Sequence, residues 1–395
     1  MTTFSTILVL CLITLAFAEK RARGITPEAT NYLPNITVTP QPWMFFHDRS
    51  VWSSAPVIVN DIVYFHTSAG VNALSLHDGK LVAQNSRIKA RGTPITISPY
   101  SDKSVIVEEF PDFGNSKFHI LDPRTLNVRQ TIPKINPGSA ASDMTGLYFV
   151  DQQVMYRYAF DGVLMMKRSL PDWVDLRWGR VDHGIIALSS SKIYLIDTNL
   201  NVRWTGYYPG LSGSSFAANS KSGHLIFSTY EYQQPGFIFL QGIDANKQGL
   251  FKFNVTRADN FAQVVFLTIQ ENGGSVIFGV GATNKDDAKL DLYRIPYFGG
   301  SYLEPELLAT VTQRGIYQSH VLFPSGKLAL SVYDTSIDIW STVVVLYDLK
   351  TLKSTVLASV ENNKGLEMIG YAERCVLYTS KGVYNVPNRL HNICF

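Results

Sequence analysis

Short apolar runs of Val, Ile, Leu, Phe and Tyr recur along this chain, parted by Asn-Asp, Ala-Gly and Asp-Gly pairs. The fullest copy runs from Ser54 to Gln84. In it Pro56-Val57-Ile58-Val59 leads through Asn60-Asp61 to Ile62-Val63-Tyr64-Phe65-His66-Thr67. Ala69-Gly70 then leads to Val71-Asn72-Ala73-Leu74-Ser75-Leu76, and Asp78-Gly79 to Leu81-Val82-Ala83-Gln84. β-branched and aromatic side chains fit a pleated, half-buried surface. The intervening pairs are those that close antiparallel hairpins. Four such strands make one sheet.

The pattern returns in looser form at roughly forty-residue intervals. Later copies open at Thr93, Gly146, Gly184, His224, Ser275, Lys327 and Arg374, and the last stops after its third strand. Pro42-Trp43-Met44-Phe45-Phe46 precedes the first copy and has no partner of its own. Pairing it with the final sheet would place both termini in one blade and remove the open edges that template aggregation. The expected fold class is all-β: a single β-propeller of about eight four-stranded blades, closed by its N- and C-terminal strands. Seven blades is the alternative, because the units near residues 260–320 are long and poorly bounded. No segment shows the amphipathic period of a helix.

The run from Ala55 to Gln84 resembles the quinoprotein-type propeller repeat of pyrroloquinoline-quinone dehydrogenases and the bacterial outer-membrane assembly lipoprotein. In that repeat a Pro-Val strand leads to a Val-Tyr strand, a Gly turn, Ala-Leu, an Asp-Gly turn and a closing aromatic. Here Gln84 stands where the aromatic would be, and Trp204 fills a comparable place in the fourth unit. The resemblance implies a fold and not a reaction. Quinone-dependent members use a stacking tryptophan, a calcium site and sometimes adjacent cysteines around the cofactor. Cys375 and Cys394 are not adjacent, and no family motif places an acidic cluster. The expectation is a member without the quinone, and with no cofactor.

Composition narrows the class. At 46% hydrophobic and 17% charged, the 395 residues are too apolar for a disordered chain. The net charge of +3 comes from intermixed signs, without the basic stripe of a nucleic-acid binder. Ile7 to Leu15 is an apolar run followed by Ala16-Phe17-Ala18, so residues 1–18 read as a signal peptide cleaved after Ala18. An uncleaved anchor is the alternative, for which the run is short. No later stretch reaches the ~20 apolar residues of a membrane helix, so no membrane association is expected after cleavage. Lys20-Arg21 has the form of a dibasic site that would trim a short propeptide; otherwise residues 19–40 are a linker ahead of a propeller spanning 41–395.

Two features agree with a secreted, extracellular destination. Asn35-Ile36-Thr37 and Asn254-Val255-Thr256 are acceptor triplets for N-linked glycan. Cys11 leaves with the leader, so Cys375 and Cys394 remain as a pair in an oxidising compartment. A bridge between them would add about 3 kcal/mol; two free thiols are the alternative.

Local chemistry is sparse. The eight histidines are scattered singly, without the spacing of a zinc site. There is no nucleophile elbow and no phosphate-cradling loop. Asn284-Lys285-Asp286-Asp287 with Asp291 gathers the oxygen donors calcium prefers, or is a solvated turn. Trp173 and Trp178, and the loop carrying Tyr230, Tyr232 and Phe237, place amphipathic aromatics in or beside connections. Such residues dominate binding hot spots; blade packing is the alternative, favoured for the tryptophans. The leading expectation is a monomeric, non-catalytic scaffold for an extracellular protein or glycan partner. The alternative is a calcium-dependent lactonase- or arylesterase-like hydrolase with a metal at the propeller axis. A quinone-binding redox enzyme is a third and weaker possibility.

Overall fold

The computed structural model describes residues 42–395, apart from short stretches and single residues. The stretches left out are 48–55, 89–93, 96–103, 110–116, 134–139, 144–145, 182–183, 220–221, 231–236, 256–261, 271–273, 283–288, 312–315, 335–340, 372–373 and 383–387. The single residues left out are 68, 152, 173, 190 and 362. The predicted leader, Lys20-Arg21 and Asn35 lie outside the described residues, as do Trp173, Tyr232 and 284–287.

Among the described residues there is no helix, and the strands form eight four-stranded antiparallel sheets and one two-stranded ribbon. In the first sheet Val57–Val59, Ile62–Thr67, Gly70–Ser75 and Leu81–Asn85 pair in sequence order. The next six sheets repeat this meander and end on outer strands Val128–Pro133, Leu164–Ser169, Val202–Tyr207, Gly249–Asn254, Glu306–Val311 and Lys353–Glu361. The eighth differs. Its strands Asn363–Tyr371, Cys375–Gly382 and Asn388–Cys394 take Trp43–His47 as the outer member, with Phe45 opposite Leu390. The unpartnered N-terminal run of the sequence therefore lies on the truncated last unit.

Burial explains which strands the sequence displayed most clearly. In the fourth sheet the second and third strands are covered on both faces: Gly184–Leu188 is buried at every position, and Lys192–Ile196 at all but the first. A strand buried on both faces reads as a continuous apolar run. Outer strands are wet, and Leu164–Ser169 is exposed throughout.

Each of eight core clusters joins two sheets that follow one another in the chain, with one exception. The exception unites Ile58, Val63, Phe65 and Leu74 of the first sheet with Cys375, Leu377 and Leu390 of the eighth. Phe45 of the N-terminal strand meets Phe65 there edge to face, centroids 5.6 Å apart. Burying each such side chain contributes about 1.5–3 kcal/mol.

The turn between third and fourth strands is built the same way in six sheets. A carboxylate accepts backbone N–H bonds from residues two to four positions on: Asp78 from Lys80, Asp122 from Arg124 and Thr125, Asp161 from Val163. Asp197, Asp244 and Asp348 do the same. These side-chain-capped turns are the ordinary use of Asp in loops. Leu126 and Leu200 sit in such turns at φ 57° and 61° and are fully buried. The left-handed conformation costs about 1–2 kcal/mol for a non-glycine residue, which burial of a leucine offsets.

Candidate interaction ribbon

The long, poorly bounded stretch of the sequence holds a feature of its own. After the third strand of the sixth sheet, Leu290–Ile295, the chain turns out through Pro296 into the ribbon Tyr297–Phe298 and Ser301–Tyr302, then returns as Glu306–Val311. Gly299 and Gly300 form the tip at φ 58° and 87°, the left-handed region that glycine enters without strain. A Cβ added at either glycine would meet nothing within 4 Å. Phe298 beside them is 79% exposed, the most exposed large hydrophobic side chain among the described residues. Leu303 and Leu307, which follow the ribbon, are also exposed.

The base of the ribbon is fixed to the neighbouring fifth sheet. His224 Nδ1 and the Tyr302 hydroxyl are 2.8 Å apart. Tyr302 packs against Phe251 and Tyr297 at centroid distances of 4.8 and 4.7 Å, and Tyr297 meets the His224 ring at 5.6 Å. The Tyr297 N–H donates to Ser275 Oγ. Burial lowers the His224 pKa, against the opposing pull of Asp244. Burial, helped by Tyr297, raises that of Tyr302. Both groups are neutral near pH 7, so the clasp joins two uncharged partners. A rigid base and an uncovered aromatic tip are what a contact loop requires.

The other predicted residues fall as follows. Cys375 and Cys394 form a disulfide between directly opposed strand positions, Cα atoms 4.1 Å apart. Asn254 is exposed and ends the outer strand of the fifth sheet. In a meander the second-to-third connection lies at the opposite end from the other two. The Tyr230 loop and Asn254 thus share one end of the fifth sheet, and the ribbon leaves from the other end of its neighbour. Tyr230 is partly buried against the core between the fifth and sixth sheets, whereas Phe237 is exposed. Packing claims the first of these aromatics and solvent the second. Asp291 accepts a hydrogen bond from Thr310 on the outer strand at 2.7 Å, which places it in the outer half of the sheet. Trp178 lies within the strand Asp175–Val181, at a register shift, and not in a connection.

Sequence reading missed the ribbon because its anchors are far apart in the chain; His224 and Tyr302 are separated by 78 residues. The Gly299-Gly300 pair was the one local signal.

No protein-family model and no curated protein sequence matches the chain. Solved structures do. The chain is similar to BamB from Moraxella catarrhalis at 13% identity and TM-score 0.59, over 91% of this chain and 100% of that one. It is similar to the WD40 domain of SCAP from fission yeast at 11% identity and TM-score 0.58, over 90% and 94% of the two chains. Dihydro-heme d1 dehydrogenase NirN matches at 15% identity and TM-score 0.56, over 79% and 67%. At such identities the likeness concerns the fold alone: the chain is an all-β protein built like the β-propellers.

Proposed function

We propose that this chain is a secreted, non-catalytic β-propeller of eight blades that displays a contact ribbon to an extracellular protein or glycan. Ring closure is supported by the pairing of Trp43–His47 with Asn388–Cys394, and by the core cluster shared between the first and eighth sheets. Passage through the secretory pathway is supported by the apolar leader and by the Cys375–Cys394 bridge. The observation that carries the binding role is Phe298, 79% exposed on a ribbon whose base is clamped by His224, Tyr297 and Phe251. A glycan on Asn254 would shield the opposite end of the blades and leave this one open.

The test uses protein secreted from a eukaryotic host and screened against arrayed extracellular domains and glycans. Wild type gives a saturable signal that Phe298→Ser lowers at least tenfold, with an unchanged melting curve. Equal binding by wild type and variant contradicts the role of the ribbon. Stoichiometric calcium together with chelator-sensitive esterase activity contradicts the non-catalytic reading, in favour of the hydrolase alternative.

A further inference from the structure

The outer strand of the third sheet, Leu164–Ser169, is the last member of its sheet, and no further strand among the described residues pairs with it. Alternate residues of such a strand turn their N–H and C=O groups away from the sheet, a template for one more strand. Its side chains set this edge apart from the other outer strands. Residues 163–169 are exposed without a break. Val163, Leu164, Met165 and Met166 are 59, 47, 53 and 37% exposed, four large apolar side chains in succession. No other outer strand among the described residues exposes more than two in succession.

The edge leaves a fixed turn. The Val163 N–H donates to Asp161 Oδ1 at 3.0 Å, and the Ala159 N–H to the Val163 carbonyl at 2.8 Å. Met165 is the extra residue of a bulge, between Leu164 opposite Tyr158 and Met166 opposite Arg157. The two methionines at the centre are unbranched and adapt to whatever meets them.

Charge is segregated along the same stretch. Asp161 precedes the apolar run, and Lys167 and Arg168 follow it. Arg168 reaches the fourth sheet, where its Nη1 donates to Asn201 Oδ1, so Lys167 is the cation available at the edge. A copy laid parallel and in register would set like charges together and be repelled. An antiparallel copy, related by a two-fold axis between Met165 and Met166, lays the acidic end of each strand along the basic end of the other. Apolar residues then meet in the middle. The complement of this edge is the edge itself.

We propose that the outer strand of the third sheet is a self-association site, at which two copies of the chain pair antiparallel along residues 161–169. This dimer replaces the monomer expected from the sequence, and joins two four-stranded sheets into one. Pairing consumes the edge in both copies, so the two-fold closes and association stops at two. The site owes nothing to the ribbon of the sixth sheet and stands whether or not the ribbon binds a partner. Two strands this short make an interface at the small end of the specific range, for which a dissociation constant on the order of 10 μM is expected.

Sedimentation equilibrium of the full mature chain, from about 1 to about 300 μM, brackets that constant. Wild type follows a monomer–dimer curve, and amide exchange over residues 163–169 slows with concentration while the other outer strands do not change. Met165→Lys, a surface change, weakens dimerisation at least thirtyfold and leaves the melting curve as it is. Asp161→Asn keeps the acceptor of the turn, removes the charge and weakens dimerisation at least threefold. A dimer that Met165→Lys leaves intact, or one that does not slow exchange over residues 163–169, overturns the proposal. So does growth past the dimer. A wild type that stays monomeric throughout, with this edge protected only when a different protein is added, overturns it in favour of a foreign strand. Should Met165→Lys fail to fold, the Asp161→Asn constant and the exchange of residues 163–169 decide.

Discussion

The Trp43 indole N–H donates to the backbone carbonyl of Leu76 at 2.8 Å. The bond runs from the outer strand of the eighth sheet to the third-to-fourth-strand turn of the first, where Gly79 at φ 69° makes room for the indole. A Cβ on Gly79 would stand 2.7 Å from that ring. Trp204 repeats the contact inside the chain. On the outer strand of the fourth sheet, it donates to Ala245 O in the corresponding turn of the fifth at 2.7 Å. Other joints use different donors toward the same turn: Asn85 to Leu126, Ser104 to Phe160 and Arg157 to Thr198. The contact between the eighth and first sheets is therefore built like those between consecutive sheets. Trp43 supplies the closing aromatic that the last repeat lacks.

Trp43→Phe keeps the ring and removes the donor, and is expected to cost about 1 kcal/mol in denaturant unfolding. Trp43→Ala also removes the packing and is expected to cost about 3 kcal/mol. Trp204→Phe should match Trp43→Phe within ~0.5 kcal/mol, since the two bonds are equivalent. A Trp43→Phe variant as stable as wild type would mean that the end joint bears no load.

The disulfide clips the last hairpin, 19 residues apart in sequence. Replacing both cysteines by alanine is expected to cost about 2–4 kcal/mol. Non-reducing peptide mapping should recover Cys375 and Cys394 in one linked species, and reduction should lower the melting temperature of wild type but not of the double variant.

Much of the architecture was legible in sequence because several second and third strands are buried on both faces. Val63–Phe65 and Ile193–Ile196 could not be anything but apolar runs. Outer strands left little trace: Leu164–Ser169 faces water along its length and meets no second sheet that would impose a period. Leu126 and Leu200 concealed two turns, because a buried leucine at positive φ carries none of the usual glycine or asparagine signals. The ribbon was hidden for another reason. It is assembled by packing between sheets, His224 against Tyr302, and no local pattern encodes such a meeting.

Acid should weaken the fold in two stages. Burial lowers the His320 pKa to about 4, and burial with Arg389 does the same for His391, from the ordinary value of 6.5. Their folded values lie below their unfolded ones. The associated stability is complete above pH 6.5 and is lost as pH falls from there toward 4, on the order of 2 kcal/mol per histidine by pH 5. A second loss follows between about pH 4 and 2. There the side-chain bond from Lys80 to Asp78, and the backbone bond from Thr125 to Asp122, give way as these carboxylates protonate. Melting curves from pH 8 to 3 check this, and His320→Gln should flatten the first stage.

Tyr302→Phe removes the hydroxyl that meets His224 and is expected to cost about 1 kcal/mol. Phe298→Ser, at the open tip, is expected to change stability by less than ~0.5 kcal/mol. That contrast separates the anchor of the ribbon from its contact surface, and paired thermal melts of the two variants measure it.

Amide hydrogen exchange over Trp43–His47 tests the closed ring most directly. If the N-terminal strand is the outer member of the last blade, its amides exchange slowly and in step with Asn388–Cys394, as one cooperative unit. Exchange of this segment at the rate of a free peptide, while the other sheets stay protected, would show an open row of blades and contradict the closure on which the rest depends.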